Sequence, residues 1–244
     1  MNRLAAFWKL ARALLHILVG FVTILLVFPR ISQAQRQLRI QVWSAHMLHC
    51  LASTLVVKGQ HVITGPMLLM ANHISWLDIT ALHAARFCRF VSKADIKKWP
   101  LIGTLATGVG TVFIERESRR DAMRVVQHIS ERLRAGDVVG VFPEGTTSDG
   151  QGLLPFHANL FESAIAANAP VQPVALQFIE LATGKPSLAP CYINDDTLAR
   201  SVWRTLMTPG IAVKITFGAP QWAEGRTRRQ WAEAVRADIE TLRQ

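Results

Sequence analysis

The chain contains 244 residues, of which 50% are hydrophobic and 18% are charged, and its mean hydropathy is +0.22. This composition excludes a disordered or low-complexity protein and provides enough chain for one large α/β domain or two small ones. The 27 Lys and Arg residues outnumber the 17 Asp and Glu residues, which gives a net charge of +10. Seven of the basic residues precede Asp78, the first acidic residue. A basic and hydrophobic front end favours a membrane surface over nucleic acid, the other anionic partner that charge alone would allow.

The first 56 residues have the pattern of two hydrophobic helices. The residues from Ala13 to Pro29 carry no formal charge, and this run of about 25 Å is slightly shorter than the ~30 Å hydrocarbon core of a bilayer. A second apolar stripe at helical spacing runs from Leu38 to Leu55. We predict that residues 1–56 form a membrane-embedding helical pair hinged near Pro29. The alternative is a buried helical hairpin of the globular domain.

Cysteine usage indicates a reducing compartment. The three cysteines, Cys50, Cys88 and Cys191, are odd in number and far apart, and none lies in a Cys-x-x-Cys pair. This spacing argues against a disulfide framework and against a structural zinc site. We therefore expect a cytosol-facing protein.

Residues 57–244 alternate short apolar segments with helical patterns, which is typical of a mainly parallel sheet flanked by helices. We predict an α/β fold and a single catalytic domain. The predicted strands are Met67–Ala71, Arg89–Val91, Thr111–Ile114, Val138–Phe142, Val171–Phe178 and Ile211–Phe217, and the predicted helices are Ser118–Ala135, Phe156–Ala167 and Arg228–Arg243. The sequence has no nucleophile elbow, phosphate-binding loop or zinc-protease motif, so the usual signatures of those enzyme classes are absent.

His73 and Asp78 form a candidate catalytic pair. His73 follows the predicted strand Met67–Ala71, and ligands bind at the carboxyl ends of strands in open α/β sheets. Two residues five apart on one regular helix would point about 140° away from each other, so these two meet only if a helix begins between them. Ser75 is a good N-cap for such a helix, with Asp78 at the capping-box position. A histidine held by a carboxylate is suited to general-base catalysis; the alternatives are an ordinary loop histidine and a carboxylate that only completes the cap.

A polar loop follows the predicted strand Val138–Phe142. Residues 142–148 read Phe-Pro-Glu-Gly-Thr-Thr-Ser. The proline ends the strand, and Gly145 lets the backbone approach a ligand closely. Together with Glu144 and the hydroxyls of Thr146 and Thr147, the loop is suited to binding a head group or a thioester. A plain strand-ending turn is the alternative.

Arg116 is a further candidate for binding the substrate. It follows the predicted strand Thr111–Ile114, where a guanidinium group is able to hold a phosphate or a carboxylate with two hydrogen bonds. The neighbouring charged residues leave a second interpretation open, in which Arg116 is a solvated side chain at the entry of a helix.

The ordered set of motifs resembles the four-block signature of the glycerolipid acyltransferases. This family includes bacterial 1-acylglycerol-3-phosphate acyltransferase and its lysophospholipid relatives. The blocks are H-x4-D at His73 and Asp78, G-x-x-F-I-x-R at Gly110–Arg116, F-P-E-G-T in residues 142–148, and P-V-x-P at Pro170–Pro173. The resemblance extends in order from Met67 to Phe178, and its first and third blocks are specific.

The resemblance implies a glycerol-3-phosphate acyltransferase-like fold and transfer of an acyl chain from an acyl carrier protein or coenzyme A thioester to a lysolipid hydroxyl. His73 would deprotonate that hydroxyl, and Asp78 would orient the imidazole. Arg116, Glu144 and Gly145, with the threonines of the same loop, would bind the acceptor. No metal, no cofactor beyond the thioester co-substrate and no covalent acyl-enzyme is implied. The membrane would be the cytoplasmic face of a bacterial inner membrane.

Thr147 leaves two acceptors open. It occupies a position that is often Arg in phosphatidate-forming members of the family, and the E-G-T-T-S-x-G form resembles members that acylate lyso-ornithine lipid. We expect lysophosphatidate, on the family's commonest activity, with lyso-ornithine lipid as the alternative. A different class of function is a non-catalytic, basic membrane- or lipid-binding protein, in which His73→Ala would change nothing. We expect no nucleic-acid partner, because no basic–aromatic recognition motif is present.

Overall fold

The computed structural model describes residues 3–60, 64–114, 119–193 and 195–244. Within these residues the chain forms one sheet, and helices cover both of its faces. The strands are β1 (Ser53–Lys58), β2 (Met67–Ala71), β3 (Arg89–Lys93), β4 (Val112–Ile114), β5 (Val138–Val141), β6 (Val171–Glu180) and β7 (Ile211–Phe217). The helices are α1 (Arg3–Leu26), α2 (Gln33–Cys50), α3 (Leu77–Ala85), α4 (Ile102–Gly108), α5 (Arg119–Arg134), α6 (Phe161–Ala167), α7 (Leu198–Met207) and α8 (Arg228–Leu242).

The seven strands lie in the order β1-β7-β6-β2-β5-β3-β4. Neighbouring strands are parallel except for β6 and β7, which are antiparallel. Every residue of β2 and β5 is buried, because central parallel strands are covered on both faces. The predicted α/β fold with a mainly parallel sheet flanked by helices is therefore confirmed.

The alternation of β2 divides the core into two layers. Met67, Leu69 and Ala71 pack in one layer with buried residues of α1, α2, α3 and α7. Leu68 and Met70 pack in the other layer with buried residues of α5, α6 and α8. Successive side chains of a strand point to opposite faces, so one short apolar run joins both layers.

A 3-10 turn at Phe28–Arg30 joins α1 and α2, so the predicted hinge near Pro29 is present. By length and composition, α1 is the one helix in the described ranges that is able to cross a membrane; its most apolar stretch has a mean hydropathy of 2.3 and is 11% buried. Large apolar side chains remain exposed along α1, namely Leu4, Phe7, Trp8, Leu14, Leu15, Leu18, Val19, Val22, Leu25 and Leu26.

The opposite side of α1 is fixed to the rest of the protein. Lys9 is buried, and its ammonium group donates to the carbonyl oxygens of Leu206 (3.2 Å) and Thr208 (2.9 Å). A cation is favourable at this place because the carbonyl groups at the end of α7 carry partial negative charge. Farther along α1, the His16 ring stacks on the ring of Trp43, and the Trp43 indole N–H donates to the His16 carbonyl (3.0 Å). These contacts attach α1 to both α7 and α2.

The prediction that the second helix continues to Leu55 is wrong. α2 stops at Cys50, Ala52 has a φ of 54°, and β1 begins at Ser53. The helical spacing of Leu55 is outweighed by pairing of β1 with β7 from a distant part of the chain. The boundary drawn between residues 56 and 57 falls within β1, and the division into two domains stays a prediction.

Candidate active site

Two loops meet at the carboxyl edge of the sheet. Because β2 and β5 are adjacent and parallel, residues 72–78 and 142–148 leave the sheet at the same edge. Asn72 fixes the first of these loops to β6: its amide N–H donates to the Leu176 carbonyl (3.0 Å), and its amide oxygen accepts the Leu176 N–H (2.7 Å). Asn72 is buried, and its side chain continues the hydrogen bonding between β2 and β6 beyond the end of β2.

The side chains of His73 and Asp78 face each other. His73 lies in the loop and Asp78 in the first turn of α3, and Nδ1 of the imidazole is 2.7 Å from Oδ2 of the carboxylate. The same oxygen accepts the N–H groups of Ile74 (2.7 Å) and Ser75 (2.9 Å). The Asp78 side chain is 0% exposed, and that of His73 is 20% exposed. Because a carboxylate only accepts hydrogen bonds, we assign the proton to Nδ1, which leaves Nε2 able to take a proton.

The capping box predicted from Ser75 and Asp78 is only half formed. α3 begins at Leu77, and the side chain of its N-cap residue, Trp76, does not cap the helix. Asp78 accepts the Ser75 N–H as a capping-box acid does, but the Ser75 hydroxyl accepts the Leu77 N–H (3.2 Å) and donates to the Pro190 carbonyl (2.6 Å). Asp78 therefore closes the turn and holds the imidazole at the same time.

The 142–148 loop holds the backbone of His73 from both sides. Glu144 Oε1 accepts the His73 N–H (2.8 Å), and Oε2 accepts the Leu154 N–H (2.9 Å). The Ser148 N–H and hydroxyl both donate to the His73 carbonyl, at 2.9 and 3.2 Å. The backbone position of His73 is consequently fixed by the loop that follows the neighbouring strand, β5.

Glu144 is a buried carboxylate with both oxygens occupied inside the protein. Burial raises its pKa, and this effect outweighs the lowering by the two backbone N–H groups that it accepts. The geometry therefore gives Glu144 a positioning function. The acceptor-binding function expected from the sequence stays a prediction.

The remaining residues of the loop differ in their surroundings. Gly145 has a φ of 72°, and a Cβ added there would lie 2.8 Å from Nε2 of His157, so both the backbone and the space require glycine. Thr146 is exposed. The Thr147 hydroxyl donates to the carbonyl oxygen of Tyr192, so it points towards the backbone of that residue.

The imidazole of His73 lies on an aromatic stack. Its ring is parallel to the ring of Phe142 within 9°, with centroids 4.0 Å apart, and Phe142 in turn stacks on Phe90 at 5.6 Å. This contact fixes the plane of the imidazole. The negative face of an aromatic ring also favours a cation, which the imidazole becomes when it takes a proton.

Residues 187–192 cover the histidine loop and were not singled out by sequence reasoning. The Tyr192 N–H donates to the Ile74 carbonyl (3.2 Å), and the Trp76 indole N–H donates to the Ser201 hydroxyl (3.2 Å). Phe142 and Ser148 were seen as parts of a motif, without their contacts to His73. Most of these contacts end on backbone carbonyls or ring faces, which leave no residue-type signal in a sequence.

Arg116, the remaining predicted site residue, lies outside the described residues. Among the residues that are described, no group of three or more His, Cys, Asp and Glu side chains is placed to hold a metal ion. The arrangement at the carboxyl edge consists of a histidine, its carboxylate and the backbone groups that hold them. Such a set is suited to moving a proton from a bound hydroxyl, as a general base does.

A histidine–carboxylate pair at the edge of this sheet is typical of a site for general-base catalysis. Comparison with known proteins identifies the family of enzymes to which the site belongs. The family model described as Acyltransferase matches residues 54–177, about half of the chain. The chain belongs to this family, as its motifs predicted.

Two curated relatives differ in the acceptor that their names give. The chain is 44% identical over 151 residues to the 1-acyl-sn-glycerol-3-phosphate acyltransferase of Neisseria gonorrhoeae, covering 62% of this chain and 58% of that protein. It is 38% identical over 205 residues to the lyso-ornithine lipid O-acyltransferase of Pseudomonas aeruginosa, covering 82% and 78%. The match to the gonococcal protein thus spans less than two thirds of that protein's length.

The fold is shared with a solved structure. The crystal structure of PlsC, the 1-acyl-sn-glycerophosphate acyltransferase from Thermotoga maritima, matches with a TM-score of 0.72 and covers 99% of this chain and 96% of that chain. The sequence identity is 22%, so this similarity concerns the fold alone.

Proposed function

We propose that the chain is a membrane-associated lysolipid O-acyltransferase. It moves an acyl chain from an acyl carrier protein or coenzyme A thioester to the free hydroxyl of a lysolipid. The observation that carries the proposal is the 2.7 Å contact between His73 Nδ1 and Asp78 Oδ2 at the carboxyl edge of the sheet. Membership of the acyltransferase family supports acyl transfer as the reaction, and the names of both relatives support a lysolipid as the acceptor.

The reaction proceeds by general-base catalysis. Nε2 of His73 takes the proton of the acceptor hydroxyl while its oxygen attacks the thioester carbonyl carbon. The C–S bond then breaks, the departing thiolate takes the proton back from His73, and the products are an ester and a free thiol. Asp78 stabilises the imidazolium that exists between these two proton transfers. Base catalysis of this kind contributes about 10²–10⁴-fold, and positioning of the two substrates contributes further.

The membrane location is supported by α1, whose exposed side is almost wholly apolar while its other side is fixed to α2 and α7. A helix attached along its length in this way is suited to lying in one leaflet with the catalytic domain at its side. The three cysteines are free and buried, in keeping with a reducing compartment. We place the protein at the cytoplasmic face of a bacterial inner membrane.

Lysophosphatidate is the proposed acceptor, and the name of the gonococcal relative supports it. Lyso-ornithine lipid is the second candidate because of Thr147. Where an arginine would offer a cation to an acceptor phosphate, the Thr147 hydroxyl donates to the Tyr192 carbonyl instead. The greater extent of the match to the Pseudomonas relative favours the same acceptor.

The test is thiol release by the full chain in lipid vesicles, with acyl-coenzyme A or acyl carrier protein thioester as donor. Lysophosphatidate, lysophosphatidylethanolamine and lyso-ornithine lipid are offered separately. His73→Ala removes the base, and His128→Ala is the matched control, because His128 is an exposed histidine on α5. We expect turnover that His73→Ala abolishes and His128→Ala leaves unchanged.

The outcomes separate the function from the acceptor. Turnover with one acceptor identifies it, and turnover confined to lyso-ornithine lipid replaces lysophosphatidate in the proposal. A His73→Ala variant that keeps full activity contradicts the general-base mechanism. No turnover with any acceptor and either donor favours the non-catalytic, lipid-binding function.

A further inference from the structure

Residues 97–102, Lys-Lys-Trp-Pro-Leu-Ile, are exposed without interruption. Trp99 is 47% exposed, Leu101 45% and Ile102 40%. Large apolar side chains that stay exposed next to one another mark a surface for interaction rather than a part of the core. The proposed reaction uses none of these residues.

The 97–102 segment lies on the side of the molecule that carries the active site. It follows β3, which is parallel to β5, so it leaves the sheet at the edge where His73 lies. It also adjoins the end of α1: Ile24 and Lys97 line one cleft of about 260 Å³. A Cβ added at Gly108 would lie only 2.5 Å from Cδ1 of Ile24, which shows how closely α4 packs on α1. The exposed apolar surface of α1 therefore continues towards Trp99.

The chemistry of the segment fits the boundary between water and lipid. The indole of a tryptophan is favoured at the level of the head groups, with apolar neighbours below it. The segment carries two lysines and no acid. Lys98 forms an ion pair with Asp95 at 3.7 Å, and solvent screens this pair because both side chains are about 80% exposed. Ammonium groups at this level attract anionic lipids.

We propose that residues 97–102 enter the head-group region of the same anionic leaflet that holds α1. The segment is then a second point of membrane contact, which together with α1 turns the carboxyl edge of the sheet towards the lipid. The inference rests on the membrane association proposed above and does not depend on the identity of the acceptor or on acyl transfer.

The experiment uses a fluorescent label on single engineered cysteines. The native cysteines are buried, so an exposed engineered thiol is the one that reacts. Trp99→Cys reports on the segment, and Leu18→Cys reports on α1, where Leu18 is 51% exposed. Each labelled full chain is placed in vesicles of phosphatidylcholine and phosphatidylglycerol, and quenching by aqueous iodide is measured.

Trp222→Cys is the matched control. Trp222 is 47% exposed, the same fraction as Trp99. It follows β7, and its neighbour Gln221 pairs with Val171 at the amino end of β6, on the opposite edge of the sheet. A label at position 222 therefore measures an exposed tryptophan site that faces away from the proposed surface.

We expect iodide to quench the labels at positions 99 and 18 several-fold less than the label at position 222. Replacing Lys97 and Lys98 with Gln removes two positive charges, which lowers the partition of the segment into an anionic surface by about 30-fold. The label at position 99 should then become as accessible as the control, while the label at position 18 stays shielded.

Two results overturn the inference. Equal quenching at positions 99 and 222, with position 18 shielded, leaves the membrane association intact and removes the second contact. Equal quenching at all three positions removes the membrane association as well. In the first case, protection of position 99 on addition of acyl carrier protein would assign the segment to binding of that protein instead.

Discussion

Replacing Asp78 with Asn tests the interaction on which the proposed mechanism depends. The substitution keeps the shape of the side chain, and the amide oxygen is still able to accept the N–H groups of Ile74 and Ser75. The negative charge beside the imidazole is lost. At a charge separation of about 4 Å and an effective dielectric constant of about 20, the carboxylate attracts an imidazolium by about 4 kcal/mol. That attraction corresponds to about 10³-fold in rate, because each 1.36 kcal/mol changes the rate tenfold.

We expect the kcat of Asp78→Asn to fall by about 10³-fold with little change in KM. The reason is that the attraction between the carboxylate and the imidazolium exists only after His73 has taken the proton of the acceptor. Thiol release at saturating donor and acceptor measures this. Asp149→Asn is the control, because the Asp149 carboxylate lies close to the same loop and accepts the nearby Gln151 N–H (2.9 Å). A kcat for Asp78→Asn within tenfold of the parent, with Asp149→Asn unchanged, would refute the reasoning.

Two further predictions concern buried groups. In Glu144→Gln the amide nitrogen must face a backbone N–H group, and the unmatched donor costs about 1–3 kcal/mol. We expect kcat to fall while the KM for the lysolipid stays unchanged. A rise in KM alone would instead indicate that Glu144 binds the lysolipid. Burial lowers the pKa of His83 to about 4, so below pH 6.5 the unfolded chain binds a proton that the folded chain does not. The free energy of unfolding should therefore decrease from pH 7 to pH 5, by about 2 kcal/mol for this group. Denaturant titrations in detergent should show this decrease to be absent in His83→Gln; an equal decrease in the variant would contradict it.

The central strands and the contact between His73 and Asp78 could be predicted from the sequence because local patterns determine them. Short continuous apolar runs such as Met67–Ala71 and Val138–Val141 are typical of strands buried on both faces. The five-residue spacing of His73 and Asp78 required a helix to begin between them, and α3 begins at Leu77. Physical constraints within a few residues were sufficient for these features.

The remaining features depend on partners that are distant in sequence. Leu55 fits a helical spacing, and only the pairing with β7 makes it part of a strand. Glu144 stands in a motif that suggests a ligand, yet its oxygens accept N–H groups of His73 and Leu154, the first of which is 71 residues away. The hydrogen bond between Glu144 and His73 becomes predictable only when β2 and β5 are known to be neighbouring strands.

The hydrogen bonds from the 142–148 loop to the backbone of His73 make the site dependent on the pairing of β2 with β5. The backbone of His73 keeps its position while β2 and β5 remain paired, because Glu144 accepts its N–H and Ser148 donates to its carbonyl from the loop after β5. Separation of those two strands would remove this support from the proposed base. If His73 is the base, as proposed, loss of activity on heating should therefore coincide with separation of the β2–β5 pair.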